Sequence, residues 1–292
     1  MIKKITYFIY AARVKTLVAV ISPILICSSI CSKYYSLDFF ILLLTLSAAL
    51  LIQIMTNFIN DLYDFKKGAD NHNRIGPDRM IQMGLISEKE MVKAIYIVFF
   101  MALVIGLYLA NIGGWRIVLI GSSAFVFAYL YTATSFSIAY NGLGEIFVFL
   151  YFGVIASLGT FYLQVLDYDY SALLIGIICG CFNMILLIIN NLRDIDIDIL
   201  SNKRTLVARL GKKFGYIEFG LALFISHIAL YFLSIHLKDI NIFLIPLILL
   251  CMPLYIYYNL VYNVKYINHR ALPTLSLYII LFTSLLTYLI IV

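Results

Sequence analysis

Residues 171–198 read SALLIGIICGCFNMILLIINNLRDIDID, a long apolar run that passes directly into amides and acids. The run at 171–191 has the roughly 20 mostly apolar residues that a membrane-spanning helix needs. It is too long and too continuous in hydrophobicity for a barrel strand, and backbone groups in hydrocarbon must be paired within the segment. The stretch therefore predicts a transmembrane α-helix with a polar end.

Eight further runs of this kind occur in the chain of 292 residues. The composition agrees with a polytopic membrane protein, because 63% hydrophobic residues and a mean hydropathy of +0.99 lie outside the range of soluble globular domains. The nine runs lie near 14–32, 39–59, 92–111, 115–133, 145–165, 171–191, 217–237, 241–262 and 272–292. The predicted fold is all-α, a bundle of nine transmembrane helices, and residues 1–292 are expected to form a single integral membrane domain.

The positive charges fall mainly on one side of these runs. When the N-terminus is placed inside, 18 of the 21 Lys and Arg residues lie on the cytoplasmic side and only Lys33, Arg116 and Lys238 lie outside. The positive-inside rule therefore predicts a cytoplasmic N-terminus. The net charge of +6 then comes from inner loops, where anionic lipid head groups or anionic substrates would meet it. No basic helix or RNA-binding motif indicates nucleic acid.

Two acidic clusters lie on this cytoplasmic side. They are Asn57-Phe-Ile-Asn60-Asp61-Leu-Tyr-Asp64, continuing to Asp70, and Asn190-Asn191-Leu-Arg193-Asp194-Ile-Asp196-Ile-Asp198. Asp61 and Asp64 are three residues apart and Asp194 and Asp198 four apart, so each pair shares one face if the preceding helix continues through it. Carboxylates beside a bilayer are costly. We therefore expect the two clusters to hold divalent cations, Mg²⁺ above all, which in turn hold the diphosphate of a lipid substrate.

Further polar residues near the clusters are candidates for the same site. Asparagine side chains could complete the metal shells or orient the carboxylates, and nearby cations could bind the remaining phosphate oxygens. The asparagines are Asn57, Asn60, Asn190 and Asn191, the cations are Arg74, Arg79, Lys203 and Arg204, and the expected metal ligands are Asp61, Asp64, Asp70, Asp194 and Asp198. The alternative interpretation of either cluster alone is a charged helix end at the membrane surface.

No sequence motif indicates another kind of metal site or redox chemistry. The five cysteines form no paired C-x-x-C, and the four histidines form no H-E-x-x-H pattern. Neither a zinc site nor a disulfide framework is indicated.

Several segments resemble a known family, in that family's order and over most of the chain. They are Ala12-Arg-Val-Lys-Thr-Leu17, Gln53 through Asp70, Arg74-Ile-Gly-Pro-Asp-Arg79, Gly84-Leu-Ile-Ser87, Tyr140-Asn-Gly-Leu-Gly-Glu145, Leu158-Gly-Thr-Phe-Tyr-Leu-Gln164, Asn190 through Leu206, and Arg209-Leu-Gly211. The chain resembles the UbiA superfamily of intramembrane aromatic prenyltransferases, and most of all its 1,4-dihydroxy-2-naphthoate branch, which serves menaquinone biosynthesis. Two departures are Gly68 at the position of a third acid in the first motif and Asn202-Lys203 in place of Gly-Lys after the second.

The resemblance implies a reaction and roles for the residues. Asp61, Asp64, Asp194 and Asp198 would bind Mg²⁺ and through it a polyprenyl diphosphate; ionisation of this donor would prenylate 1,4-dihydroxy-2-naphthoate with loss of carbon dioxide and diphosphate, giving demethylmenaquinol. Tyr140 is expected beside the allylic cation, and Glu145 is expected to hold or deprotonate an acceptor hydroxyl. The resemblance also implies a multi-pass protein of the bacterial inner membrane, in contact with membrane lipid.

Other interpretations stay open at this point. A UbiA-type enzyme could use another acceptor, such as 4-hydroxybenzoate, homogentisate or haem. A cation-coupled transporter is an alternative from another class, but it would place acids near the middle of the membrane, whereas these lie at inner helix ends. The motif of the CDP-alcohol phosphotransferases, another class of metal-dependent membrane enzymes, is absent from the sequence.

Overall fold

The computed structural model of the protein describes residues 2–68, 79–263, 267 and 270–292. Within these residues the fold is all-α, with no strand. The helices are α1 (Ile2–Ala11), α2 (Val18–Tyr34), α3 (Phe39–Lys66), α4 (Glu88–Gly113), α5 (Trp115–Leu130), α6 (Gly144–Phe149), α7 (Ala156–Val165), α8 (Tyr170–Leu200), α9 (Leu206–Leu210), α10 (Lys212–His236), α11 (Asn241–Leu244), α12 (Cys251–Tyr262) and α13 (Ala271–Ile291). A π-helical segment, Leu150–Ile155, joins α6 to α7, and a short 3₁₀ segment, Pro246–Leu250, lies between α11 and α12.

Seven helical stretches in the described part of the chain are long and apolar enough to cross a membrane. They are Phe39–Lys66, Glu88–Gly113, Gly144–Val165, Tyr170–Leu200, Lys212–His236, Asn241–Tyr262 and Ala271–Ile291. Two more apolar helices, α2 and α5, coincide with predicted runs but have only 17 and 16 residues. The all-α membrane fold is confirmed. The predicted number of nine spans is not, because α2 and α5 are shorter than the roughly 20 residues that a membrane-spanning helix needs.

Helix α8 lies at the centre of the bundle and packs against α2, α10 and the π-helical segment. Small residues permit the closest of these approaches. A Cβ atom built on Gly153 would lie 2.4 Å from the Gly176 carbonyl oxygen and 2.4 Å from the Gly180 Cα atom. Glycines are typical of helix interfaces in membranes, where close backbone packing replaces the hydrophobic driving force. The second acidic cluster is therefore carried by a firmly packed helix.

The outer surface of the bundle is apolar. On α4, for example, Phe100, Val104 and Leu107 share one face, and each is more than half exposed. An apolar surface of this kind suits contact with lipid and would be unusual on a soluble protein. The polar residues of the two clusters instead lie at the C-terminal ends of α3 and α8, which run to Lys66 and Leu200, beyond the apolar runs that were predicted from the sequence.

Candidate active site

Both pairs of aspartates lie within helices. Asp61 and Asp64 belong to the last two turns of α3, and Asp194 and Asp198 belong to the last two turns of α8. Each pair therefore shares a helix face, as the spacing predicted. Asp196 is exposed and points elsewhere, because it lies two residues from each acid of the second pair.

The carboxylate of Asp64 is held by two side chains. Arg79 donates a hydrogen bond from Nη2 to Oδ2 at 2.8 Å, and the Tyr140 hydroxyl donates to Oδ1 at 3.0 Å. Asp64 and Arg79 are both buried, so this is an ion pair largely withdrawn from water. Pairing of this kind is needed because a lone charge in such surroundings is costly.

Asp61 is held less completely. Its Oδ2 accepts a hydrogen bond from the Met80 backbone N–H at 3.3 Å. Its Oδ1 is buried and meets no hydrogen-bond donor among the residues that the structure describes. Buried polar atoms in proteins are nearly always satisfied, so an oxygen of this kind calls for an explanation such as a bound ion.

The second cluster shows a similar division. Arg193 grips Asp194 with two parallel hydrogen bonds of 2.7 Å, from Nε and Nη2. Lys203 Nζ lies 3.3 Å from Asp198 Oδ1. The other oxygen of Asp198, Oδ2, is buried and has no hydrogen-bond partner within the described ranges.

Tyr140 connects the two clusters. Its hydroxyl reaches Asp64, and its carbonyl oxygen accepts a hydrogen bond of 3.0 Å from the Arg204 backbone N–H. The Lys203 ammonium lies 5.8 Å from the centre of its ring, within the range of a cation–π contact. The loop that carries Tyr140 therefore contacts both the end of α3 and the segment after α8.

Glu145 lies beside these clusters at the start of α6. It is 2% exposed, and Asn191 Nδ2 donates a hydrogen bond of 2.8 Å to its Oε1. Tyr131, which the sequence analysis did not single out, lies within electrostatic range of Glu145. Burial raises the pKa of Tyr131 well above its usual range, and the negative charges of Glu145, Asp64 and Asp198 act in the same direction. Carboxylates of both clusters thus act on one hydroxyl.

The other predicted residues have separate contacts. Asn57 donates to the Ala12 carbonyl oxygen at 2.9 Å, and Asn60 accepts from the Thr132 hydroxyl at 2.7 Å. Asn190 donates to the Leu186 carbonyl oxygen of its own helix, and the Arg204 side chain is exposed with its Nε 3.4 Å from Asn202 Oδ1. Asp70 and Arg74 lie outside the described residues. These contacts leave the proposed roles as predictions.

Two cations near the first cluster were not selected from the sequence. Arg13 has a left-handed backbone with φ of 53°, uncommon for a residue other than glycine, and its positive charge acts on Asp61. Lys67 follows α3 directly and lies 4.4 Å from the centre of the Tyr140 ring. Partial burial lowers the pKa of Lys67, while Asp64 acts to raise it. The position of Lys67 next to the first motif was the available signal; for Arg13 the sequence offered only its place in a matching segment.

A complete metal cage is absent from the described part of the chain, because no three His, Cys, Asp or Glu side chains there are grouped closely enough. The residues nevertheless fit Mg²⁺. Asp61 and Asp198 each leave one buried oxygen without a donor among the described residues, one from each cluster. Mg²⁺ usually takes one or two carboxylates and keeps water or substrate phosphate as its other ligands. Such oxygens suit this incomplete coordination.

An apolar cavity of about 290 Å³ lies between α2, α3, α4, α5, α7 and the π-helical segment. We call it the chamber. Gln53 lines it near the first cluster, and Ile117 and Leu163 line it toward the opposite end of the helices. Gln53 and Asp61 are eight residues apart on α3, which is about 12 Å along the helix axis. The chamber and the acidic residues therefore succeed one another along the same helix.

Comparison with known proteins assigns this arrangement to a family. The sequence pattern described as the UbiA prenyltransferase family matches residues 20–289. The chain belongs to the UbiA prenyltransferase family. It is therefore a membrane-embedded prenyltransferase, as the matching motifs predicted.

Relatives and solved structures agree with this membership of the UbiA family. The chain is 34% identical to the 1,4-dihydroxy-2-naphthoate octaprenyltransferase of Mycobacterium leprae over 70% of this chain and 69% of that protein. It is 34% identical to the Escherichia coli enzyme of the same name over 68% and 67%. A UbiA homologue from Archaeoglobus fulgidus superimposes with a TM-score of 0.71, at 14% identity, over 98% and 99% of the two chains. The same homologue bound to GPP and Mg²⁺ gives a TM-score of 0.69. At such identity the likeness supports the fold alone.

Proposed function

We propose that this UbiA-family enzyme transfers a polyprenyl group from an allylic polyprenyl diphosphate to 1,4-dihydroxy-2-naphthoate, releasing carbon dioxide and diphosphate and forming demethylmenaquinol. The observation that carries the proposal is the meeting of two buried acidic clusters, one from α3 and one from α8, around Tyr140. The choice of acceptor draws support from the relatives, which are named for the naphthoate at 34% identity over two thirds of their length.

The carboxylates of Asp61, Asp64, Asp194 and Asp198 would hold Mg²⁺, with Asp70 as a further ligand. Mg²⁺ bound there would neutralise negative charge on the leaving diphosphate and so ease cleavage of the allylic C–O bond. Of the four aspartates that the structure describes here, Asp61 and Asp198 are the two with a buried oxygen that no described donor engages. We therefore assign the most direct metal contacts to these two residues.

The cations of the site would bind the diphosphate oxygens. Lys203 lies against Asp198 and Arg79 against Asp64, so both already point toward the clusters. Arg204 and Arg74 are further candidates for this role. Positive charges fixed before the reaction stabilise a developing negative charge without reorganisation. Asn57, Asn60, Asn190 and Asn191 would support the binding of substrate and the orientation of the carboxylates.

The acceptor would be held near Glu145 and Tyr140. Glu145 is buried, and its bond from Asn191 fixes the orientation of its carboxylate. A carboxylate held in this way can accept a hydrogen bond or a proton from a phenolic hydroxyl. Tyr140 was expected beside the allylic cation, but the ammonium groups of Lys67 and Lys203 already lie 4.4 and 5.8 Å from the centre of its ring. We therefore assign Tyr140 to the orientation of Asp64 through its hydroxyl, while burial of the site would keep water from the allylic cation.

The chamber would receive the isoprenoid tail of the donor. Its lining is almost wholly apolar, and it begins near Gln53, two turns of α3 from Asp61. We place the N-terminus in the cytoplasm, so that the acidic site also faces the cytoplasm. The protein would be a multi-pass component of a bacterial inner membrane. Residues 1–292 would act as one domain.

The decisive experiment offers purified protein a choice of acceptors and donors. 1,4-Dihydroxy-2-naphthoate and 4-hydroxybenzoate are each incubated with farnesyl, geranylgeranyl and longer diphosphates in the presence of Mg²⁺, and products are identified by mass spectrometry. We expect a decarboxylated prenyl naphthoquinol with the first acceptor only. Prenylation of 4-hydroxybenzoate alone would refute the assigned acceptor, and no consumption of any prenyl diphosphate would refute the reaction.

The role of the chamber has its own test. A Cβ atom built on Gly121, which lines the chamber, meets no atom within 4 Å. Gly121→Leu should therefore narrow the chamber and lower kcat/KM for long donors about tenfold more than for farnesyl diphosphate. Gly220→Leu is the matched control, because a Cβ atom there also meets open space but outside the chamber. Equal losses for donors of every length would contradict the assignment.

A further inference from the structure

Lys67, the residue after the last turn of α3, has an ammonium group that is fully engaged. Its Nζ donates to the Thr132 carbonyl oxygen at 2.6 Å and to the Thr134 carbonyl oxygen at 2.7 Å, and it also donates to the Ser137 hydroxyl. An ammonium group has three N–H donors. All three are therefore used within the protein, on acceptors of a single loop.

This loop connects α5 to α6 and carries Tyr140. The Lys67 ammonium also lies 4.4 Å from the centre of the Tyr140 ring, where a cation–π contact adds to the three hydrogen bonds. Beyond Lys67, the Tyr140 hydroxyl bonds to Asp64, one turn earlier on α3. The end of α3 thus holds the loop at two points, through Lys67 and through Asp64.

A lysine beside an acidic motif invites another interpretation, that of a phosphate ligand. The geometry opposes it. To reach a diphosphate, the Lys67 ammonium would have to leave two carbonyl oxygens, and the Thr132 residue that carries one of them is only 2% exposed. The Ser137 hydroxyl also reaches both carbonyl oxygens, but its single proton can serve only one of them, so departure of Lys67 would leave the other without that donor. An acceptor shielded from water that loses its donor costs more than the bond itself contributed.

We infer that Lys67 is a positioning residue, which fixes the Thr132–Tyr140 loop so that the Tyr140 hydroxyl meets Asp64, and that it does not bind the diphosphate. The inference rests on the proposed prenyl transfer and adds to it a residue that acts through Tyr140. It separates Lys67 from Lys203 and Arg79, whose cationic groups lie against carboxylates of the site.

The first test compares Lys67→Met with Lys66→Met. Lys66 is the adjacent lysine and, like Lys67, is exposed, but it pairs with Glu88 and the Tyr63 ring instead of the loop. We expect Lys67→Met to lower kcat by about 10 to 100-fold, the usual loss when a residue that orients a ligand is removed, with KM for the prenyl diphosphate within about twofold. Lys66→Met should change neither value appreciably. A tenfold rise in KM for the diphosphate at unchanged kcat would overturn the inference.

The second test is a double-mutant cycle with Tyr140→Phe, which removes the hydroxyl and keeps the ring. If Lys67 acts through Tyr140, the double variant should be no slower than the slower single variant. Losses in kcat that multiply would show that Lys67 acts independently of Tyr140 and would overturn the inference.

Two further variants keep the test valid if Lys67→Met does not fold, which elution of the purified protein would reveal. Lys67→Arg retains donors for both carbonyl oxygens and should recover most of kcat, and Ser137→Ala removes one partner while keeping the ammonium. The Ser137→Ala loss should also be confined to kcat; a rise in donor KM in both variants would contradict the inference. Absence of transfer by the unmodified chain would refute the proposed function itself, so the two failures are distinguishable.

Discussion

The two acidic clusters follow one plan with different partners. In each, one carboxylate is held by an arginine: Asp64 by Arg79 and Asp194 by Arg193. In each, the other carboxylate, Asp61 or Asp198, has a buried oxygen that no donor in the described residues reaches. The division suggests that one acid per cluster is oriented in advance, while its neighbour keeps lone pairs for a metal ion.

The clusters differ in where the arginine comes from. Arg193 precedes Asp194 in the same helix, so the second pair forms as soon as α8 does. Arg79 follows Asp64 by 15 residues, so the contact between them is not part of one helix and needs the tertiary fold. The second cluster is therefore local, and the first depends on tertiary structure. We therefore expect substitutions in the two clusters to differ mainly in their effect on the free energy of unfolding.

The largest effect is expected from Asp61→Asn and Asp198→Asn. Each should lower prenyl transfer about 1,000-fold, because the exchange removes the carboxylate charge where we place the most direct metal contact. For Asp61→Asn the unfolding temperature should stay the same or rise, since a buried charge with an unengaged oxygen is removed. Asp198→Asn should lower it, but less than Asp64→Asn does, because the Lys203 ammonium that loses its contact with the carboxylate is partly exposed. Mass spectrometry of products and thermal unfolding in detergent check both parts. Full activity in both variants would defeat the metal assignment.

Asp64→Asn should lower prenyl transfer by a similar factor, and it should also lower the free energy of unfolding. Arg79 is 4% exposed and would lose its charged partner, and breaking one side of a buried pair typically costs about 3 to 5 kcal/mol. The measurement is the difference in unfolding temperature between Asp64→Asn and Asp61→Asn. Equal stability of the two variants would remove the distinction drawn here between a held and an open carboxylate.

Arg193→Lys tests the local pair. Lysine cannot reproduce the two parallel hydrogen bonds to Asp194, so the carboxylate should lose its orientation. We expect the Mg²⁺ concentration for half-maximal activity to rise about 10 to 100-fold. Arg270→Lys, at an exposed residue at the start of α13, is the control and should leave the Mg²⁺ dependence unchanged. An unaltered Mg²⁺ titration would separate Asp194 from the metal.

Glu145→Gln addresses the acceptor side of the site, next to the second cluster through Asn191. The amide keeps the size of the side chain but loses its charge and its basicity. We expect turnover at saturating acceptor to fall about 100-fold, the usual scale for loss of a general base. If the turnover of the variant equals that of the unmodified protein, Glu145 has no part in the chemistry.

Much of this arrangement follows from sequence patterns, and the rest does not, for physical reasons. Apolar runs of sufficient length predict spanning helices because hydrocarbon leaves the backbone no other partner. The spacing of Asp61 and Asp64 also predicts a shared face, since helix geometry is local. The number of spans was less predictable, because α2 and α5 are short and their ends depend on neighbours.

Contacts between distant segments could not be predicted in this way. Nothing in the sequence shows that Arg79 reaches Asp64, or that Lys67 bonds to the loop before Tyr140, because both require the tertiary fold. The left-handed backbone of Arg13 is equally hidden, since its residue type does not favour that conformation. Sequence therefore predicts the acids and their helices better than the cations that orient them.

The smallest predicted effect concerns the Tyr140 loop, which contacts the end of α3 and the segment after α8. Gly142 has a φ of 72°, and a Cβ atom there would lie 3.2 Å from the Arg204 carbonyl oxygen. Gly68, at the end of the first cluster, has a similar φ of 69° but open space around it. Gly142→Ala and Gly68→Ala should both lose about 1 to 2 kcal/mol of stability from the left-handed backbone.

Only Gly142→Ala should also lower kcat, by a few-fold, because its added methyl group pushes the Tyr140 loop away from the segment after α8. Subtracting the effect of Gly68→Ala removes the cost of the backbone conformation and leaves that of the contact between the clusters. Identical kcat values for the two variants would mean that prenyl transfer does not depend on the position of the Tyr140 loop relative to the segment after α8.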